Sequence, residues 1–218
     1  MFAVAVTEPG KVEIVEVPDP VPGPYEALIK TEIAALCNST DRKLIEAHFP
    51  GVEQYPLLLG HETVGTVVAV GEKARSFQVG DRVIGGLLLN STHPDYASGW
   101  GGFSEYTLAS DHVAMVEDGV ADAAHGWVEV HEIMRTVPRT VPLEDAVLLC
   151  KYWLVGVRNP PLRCNGKRHY ILVISNDNSL PIRGNNIEKP RKCIHSRIDS
   201  FHNRRIPAFI IDGTIVQE

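Results

Sequence analysis

Residues 55–71 read Tyr-Pro-Leu-Leu-Leu-Gly-His-Glu-Thr-Val-Gly-Thr-Val-Val-Ala-Val-Gly, an apolar approach to Gly60-His61-Glu62 followed by a valine-rich run that closes on Gly71. A short apolar run of β-branched residues between glycines predicts a strand over 63–70. Upstream, the stretches 2–6, 12–17 and 27–33 alternate apolar and polar residues. They are divided by Gly10 and by the proline-rich Pro-Asp-Pro-Val-Pro-Gly-Pro at 18–24. Downstream, 81–84 and 104–108 repeat the pattern, with Gly80, Gly85 and Gly86 as punctuation. Many short strands with frequent glycine turns favour a barrel or sandwich over a parallel sheet, so the expected fold class is mainly β with short helices.

Two helices interrupt this pattern. Ser39 or Thr40 can cap a short one over about 41–47, and Pro142-Leu143-Glu144-Asp145 opens another that carries Ala146 to Cys150. Past residue 150 the texture changes. A strand is expected over 170–175 and a hairpin over 208–216 about Asp212-Gly213, and between them lies basic, Asn-rich chain without helical periodicity. Charge reverses at the same place: residues 1–150 hold 9 Lys+Arg against 22 Asp+Glu, and residues 151–218 hold 12 against 5. Two units are therefore expected, 1–150 and 151–218, the second an atypical basic tail and not a Rossmann fold.

The chain of 218 residues with 44% hydrophobic content has enough material for a core without staples. No stretch nears the roughly 18 apolar residues that span a bilayer, and the N-terminus lacks a basic region followed by a long apolar one. Four widely spaced cysteines, Cys37, Cys150, Cys164 and Cys193, contain no Cys-x-x-Cys pair and predict free thiols or metal ligands in a reducing compartment. We therefore expect a cytoplasmic protein that binds neither membrane nor nucleic acid. The basic tail lacks the aromatic interleaving that a nucleic-acid surface uses.

The order of Gly60-His61-Glu62, the run to Gly71, Gly80-Asp81-Arg82-Val83 and Gly102-Phe103-Ser104-Glu105-Tyr106 resembles the zinc-containing medium-chain dehydrogenase/reductase family. The likeness is to its alcohol and polyol dehydrogenases, which have a GroES-like β-barrel catalytic domain, and it covers about residues 1–150. It implies one catalytic zinc ion with three protein ligands and an open position where an alcohol loses its proton. Cys37 and His61 supply two ligands, the resemblance places the third at Cys150, and Glu62 competes as third or alternate fourth. Asp41 matches the family aspartate that orients the ligand histidine. Ser39 or Thr40 would relay the proton, with Thr40 preferred for its place beside Asp41.

The sequence departs from the family pattern in several places. The family reads Cys, any residue, Ser or Thr, Asp, whereas Cys37-Asn38-Ser39-Thr40-Asp41 is one residue longer, and a downstream relay histidine is replaced near Lys43. No cysteine stands between 87 and 100, so no structural zinc is expected. NAD(P) is implied by the family. Yet Gly156, Gly166, Gly184 and Gly213 have no dinucleotide-binding spacing, and no cofactor-binding residue is assigned. The expectation is a truncated dehydrogenase whose tail arises from a frameshift or fusion, acting on a small alcohol or polyol by descent and self-associating through exposed apolar surface. Catalysis by the chain alone is not expected.

Other readings stay open for the same residues. The whole can be a non-catalytic zinc-binding β-barrel module, or a zinc-free relative of the quinone reductases. Cys37 and Cys150 can be buried structural thiols, and Ser39 and Thr40 plain helix caps. His131-Glu132 reads as a surface pair and Gly99-Trp100-Gly101-Gly102 as a turn. Cys164, Cys193, His195 and His202 are spaced too irregularly for a second metal site.

Overall fold

Strand β1 (Phe2–Glu8) turns at Gly10 and pairs antiparallel with β2 (Lys11–Glu16) from Phe2↔Glu16 to Glu8↔Lys11. Ala3, Val4, Ala5 and Val6 are all buried, so β1 is covered on both faces rather than on alternate ones. Its other edge takes β4 (Leu57–Leu58), which pairs in parallel with β7 (Ala97–Ser98), giving the order β2-β1-β4-β7. These relations come from a computed structural model that describes residues 1–90, 93–156, 170–172, 209–211 and 214–216.

The second sheet is built on β3 (Glu26–Leu36), which is long enough to carry several partners. One edge pairs with β5 (Glu62–Val70), continued by β6 (Arg82–Ile84) and β9 (Arg135–Thr136). The other edge takes β8 (Tyr106–Ser110) and, at Ala34 to Leu36, β10 (Tyr170–Leu172). The β3–β5 register shifts at Leu28/Ile29 and Thr31/Ile33, irregularities that bend and coil a strand pair. Backbone bonds Val4 N–H to Phe103 O at 2.8 Å and Phe103 N–H to Leu59 O at 2.9 Å, with the bridge Ala3↔Ser104, tie the first sheet to the loop that enters β8. The result is the expected mainly-β GroES-like barrel. Separately, β11 (Phe209–Ile211) pairs antiparallel with β12 (Thr214–Val216).

Helix α1 (Thr40–Ile45) follows β3 closely, and α3 (Leu143–Gly156) begins after Pro142, whose carbonyl accepts the Ala146 N–H at 2.9 Å. The apolar face of α3 brings Ala146, Val147 and Cys150 against Ile33, Val64 and Ile84 of the sheet. The helix runs through residue 150 without a break. Helix α2 (His112–Glu117) was not legible in the hydrophobic pattern; it is started by Asp111, whose side chain accepts the Ala114 N–H at 3.0 Å.

His131 differs from its surface reading, since it lies 4% exposed in a 3-10 turn at Glu129–Ile133. Ser110 Oγ stands 3.2 Å from its Nε2, and the Val128 N–H points at its Nδ1 from 3.5 Å. Burial, reinforced by nearby His112, holds its pKa down at about 4, so the ring is neutral. Among the described residues no helix is long and apolar enough to cross a membrane. The expectations for the basic tail fall, apart from the end of α3 and the three short strands, on residues outside those described.

Candidate metal centre

The β3–β5 register creates the site. Ala35 pairs with Glu62 and Ala34 with Thr63, so the chain leaving β3 through Cys37 lies beside the chain entering β5 through His61. Donor atoms of Cys37, His61 and Glu62 converge within 4.8 Å of one another, and all three residues are buried. This is the one such group among the described residues. Gly60 makes the approach possible: its φ is +104°, and a Cβ there would stand 2.6 Å from the Phe103 backbone nitrogen. Only glycine fits that backbone without displacing the β8 entry loop.

Asp41, fully buried on α1, supports two of the three donors. Its Oδ2 accepts the Cys37 backbone N–H at 2.7 Å, and its Oδ1 stands 3.0 Å from His61 Nδ1. The latter pair stands at hydrogen-bond distance, and the Asp41 carboxylate favours the protonated ring both by that contact and by its charge. The Asp41 contact occupies the Nδ1 side, and His61 Nε2 lies 3.8 Å from Glu62 Oε1.

The electrostatics follow from this packing. Burial is the largest influence on His61 and disfavours its charged form, but Asp41 and Cys37 together outweigh it and raise the imidazole to about 10. Burial likewise pushes the Cys37 thiol up. His61 and the backbone N–H groups of Thr40 and Ser39 overcome that and bring it to about 6. The loop Cys37-Asn38-Ser39-Thr40-Asp41, one residue longer than the family pattern, thus aims two amides at the sulfur.

Thr40 and His61 line a cavity of about 220 Å³ whose remaining wall is Phe49, Leu87, Trp100, Val130 and Ile133. Ser39 does not line it; it occupies the position before α1 and makes no capping bond with its side chain. Cys150 is not brought into the donor group. Its thiol donates to the Thr63 carbonyl at 3.2 Å within the apolar packing under α3, and burial, with Glu62 nearby, raises it to about 12. Glu62 is the acid that joins Cys37 and His61.

Sequence reasoning missed the cavity wall. Trp100 lies tilted against His61, with ring centroids 5.5 Å apart, and meets Phe49 edge-on at 5.4 Å. The available signal was one large aromatic set among glycines. Val130 and Ile133 belong to the turn around His131, and no local pattern marked them.

A thiolate, an imidazole and a carboxylate form a donor set that zinc accepts, and a carboxylate behind the histidine is the support such ligands use. The residues therefore fit the metal that the family implies. They offer nothing comparable for a nicotinamide nucleotide: among the described residues no strand runs through a glycine-rich turn into a helix.

Residues 23–118 match the alcohol dehydrogenase GroES-like domain. The chain is 35% identical over 152 residues to the acryloyl-coenzyme A reductase of Sulfurisphaera tokodaii, covering 68% of this chain and 43% of that one. It is 30% identical over 167 residues to the NADP-dependent isopropanol dehydrogenase of Thermoanaerobacter brockii, covering 74% and 46%. It spans less than half the length of either relative. The human synaptic vesicle membrane protein VAT-1 homolog-like protein shares the fold at a TM-score of 0.50 and 18% identity, over 67% of this chain and 38% of that one. Barrel, ordered glycine motifs and domain match together show that the N-terminal part of this chain belongs to the medium-chain dehydrogenase/reductase family.

Proposed function

We propose that residues 1–150 form the zinc-binding catalytic domain of an NAD(P)-linked dehydrogenase acting on a small alcohol or polyol, with one metal ion held by Cys37, His61 and Glu62. The observation that carries this reading is the convergence of those three buried donors beside the 220 Å³ cavity. The two relatives, a reductase and a dehydrogenase, support an oxidoreductase. NAD(P) is implied by the family, and none of this chain's residues is assigned to hold it.

Zinc in this donor set would supply Lewis acidity that lowers the pKa of an alcohol bound beside it. The chain's own residues do the rest. Asp41 fixes the His61 ring and the Cys37 backbone together, so two donors are set before a metal arrives. His61, with the Thr40 and Ser39 amides, favours Cys37 as thiolate, the form that ligates. Thr40, at the cavity wall, would accept the proton that the substrate hydroxyl gives up while passing its own hydroxyl proton outward to solvent; Ser39, off that wall, is the weaker relay candidate. The apolar wall excludes water from the place where the proton leaves.

Metal analysis joined to X-ray absorption at the zinc edge tests the assignment. One zinc per chain with a single sulfur ligand is the expected result; two sulfurs would put Cys150 in the shell in place of Glu62. Titration with NADPH and an assay of alcohol oxidation then separate the dehydrogenase from a non-catalytic zinc module, which would bind metal without nucleotide. Sizing chromatography reads the expected self-association.

A further inference from the structure

We infer that His131 is a positioning residue of this site: its ring pins the turn Glu129–Ile133 to Ser110, and the turn so held carries Val130 and Ile133 to the cavity that His61 lines. The inference rests on the metal-site reading above and adds to it a residue that touches neither metal nor substrate.

The spacing within the turn is the first observation. Residues three apart stand one above the other in a 3-10 turn. Val130 and Ile133 are such a pair, and both line the cavity. His131 and Met134 are the pair one position on; both are buried, and both reach the last residue of β8. The Ser110 N–H donates to Met134 Sδ at 3.0 Å, and Ser110 Oγ lies 3.2 Å from His131 Nε2. One pair makes wall while the next anchors it.

The second observation is how many of the His131 polar groups the turn uses. Its backbone N–H donates to Val128 O at 2.9 Å, and its carbonyl accepts the Met134 N–H at 3.2 Å. The Val128 N–H points at ring Nδ1, which makes Nδ1 the acceptor and leaves the ring proton on Nε2, facing Ser110. A leucine would fill such a space without the cost of burying polar atoms, so packing alone does not call for an imidazole. What the ring adds is a donor and an acceptor on separate edges. The charged and titratable groups around it are Asp111 and His112 beyond Ser110, Glu129 and Glu132 of the turn itself, Arg135 on β9, and Glu144 and Asp145 at the head of α3. None of them makes an ion pair with His131, and His112 opposes its charging, so nothing compensates a proton on the buried ring.

The test compares the zinc-loaded full chain with His131→Leu, Ser110→Ala, their double variant and His131→Gln, and reads 2-propanol binding by saturation-transfer NMR. His131→Leu and Ser110→Ala should each weaken 2-propanol about fivefold, the worth of about one hydrogen bond. The double variant should lose no more than either single one, since both break the same link. His131→Gln, whose amide can still donate to Ser110, should recover most of the affinity. Nitrogen NMR of the parent should show the His131 ring as the neutral Nε2–H tautomer from about pH 8 to about pH 5, where an unperturbed histidine is already charged. Circular dichroism and zinc content should be unchanged in each variant. If His131→Leu fails to fold, Ser110→Ala and the tautomer decide. Parent affinity in His131→Leu, losses that simply add in the double variant, or a ring charged at about pH 6 overturns the inference and leaves the metal assignment standing. A parent that takes up no zinc, or binds no 2-propanol once loaded, refutes instead the reading on which the inference rests.

Discussion

Cys37 and Cys150 are both buried thiols in one barrel, 8% and 1% exposed, and their surroundings drive them in opposite directions. At Cys37 two backbone amides and an imidazole face the sulfur, and the thiol falls to about 6. At Cys150 burial dominates and, with Glu62 nearby, drives the thiol up to about 12 although a backbone contact from Gly85 opposes it. Burial alone would have raised both. What a cysteine can do is decided by whether the groups that favour the thiolate outweigh the burial of the sulfur.

Exchanging each cysteine is the hardest blow to that contrast. Cys37→Ser is expected to weaken zinc binding by about a thousandfold or more, because the thiolate is the strongest donor of the set. Cys150→Ala should retain the metal and cost about 1–2 kcal/mol in urea unfolding through lost packing and the bond to Thr63. Zinc lost from the Cys150 variant and kept by the Cys37 variant would reverse the assignment.

Thiol labelling measures the same contrast without mutation. In zinc-stripped protein at neutral pH, iodoacetamide should modify Cys37 about a hundredfold faster than Cys150, as read by peptide mass spectrometry. The Cys37 rate should climb through pH 6 and then level off. Added zinc should protect it.

A smaller effect sharpens the role of the support. Asp41→Asn keeps the shape but removes the charge beside His61, and zinc affinity should fall by about tenfold in a competition titration. An unchanged affinity would mean that packing alone orients the ring.

The last test reads a slope rather than a level. Cys150 ionises near 9.0 when unfolded and near 12 when folded, so its contribution is complete below pH 9 and declines as pH rises toward 12. That decline is at most about 1.4 kcal/mol per pH unit, and Cys150→Ala should flatten the alkaline limb of urea stability by that amount. The depressed Cys37 has the reverse sign, its contribution to the metal-free protein being present above pH 9 and lost as pH falls through about 6.

The parts of this molecule that can be read from sequence are those whose physics is local. The alternating stretch 27–33 became β3 and the valine-rich run 63–70 became β5, and Gly60-His61-Glu62 carried its own explanation in a backbone that only glycine adopts. Asp41 was read from its match to the family aspartate, although its spacing from Cys37 is one residue longer than the family pattern. The short pairings β4, β7 and β9 were not, because two residues cannot show a period and are specified by partners distant in the chain. The same holds for the cavity. Trp100 reads as a turn residue among glycines until the β8 entry loop folds it onto His61, and His131 reads as exposed until Ser110 and the Val128 amide satisfy it. Cys150 shows the opposite limit, since its place in the motif order pointed to the metal while α3 turns its thiol toward Thr63.

The antiparallel register that sets Ala35 against Glu62 also makes the site a gauge of folding. A slip of one residue would send the side chains of β5 to the opposite face and part the donors. The unfolded chain then has no ready chelate, and metal uptake favours one strand alignment over all others. Free zinc at a hundred times its dissociation constant would add about 2.7 kcal/mol to the barrel's stability. Zinc at this seam would act as a proofreader of strand pairing, holding the barrel only when its strands have met in the correct order.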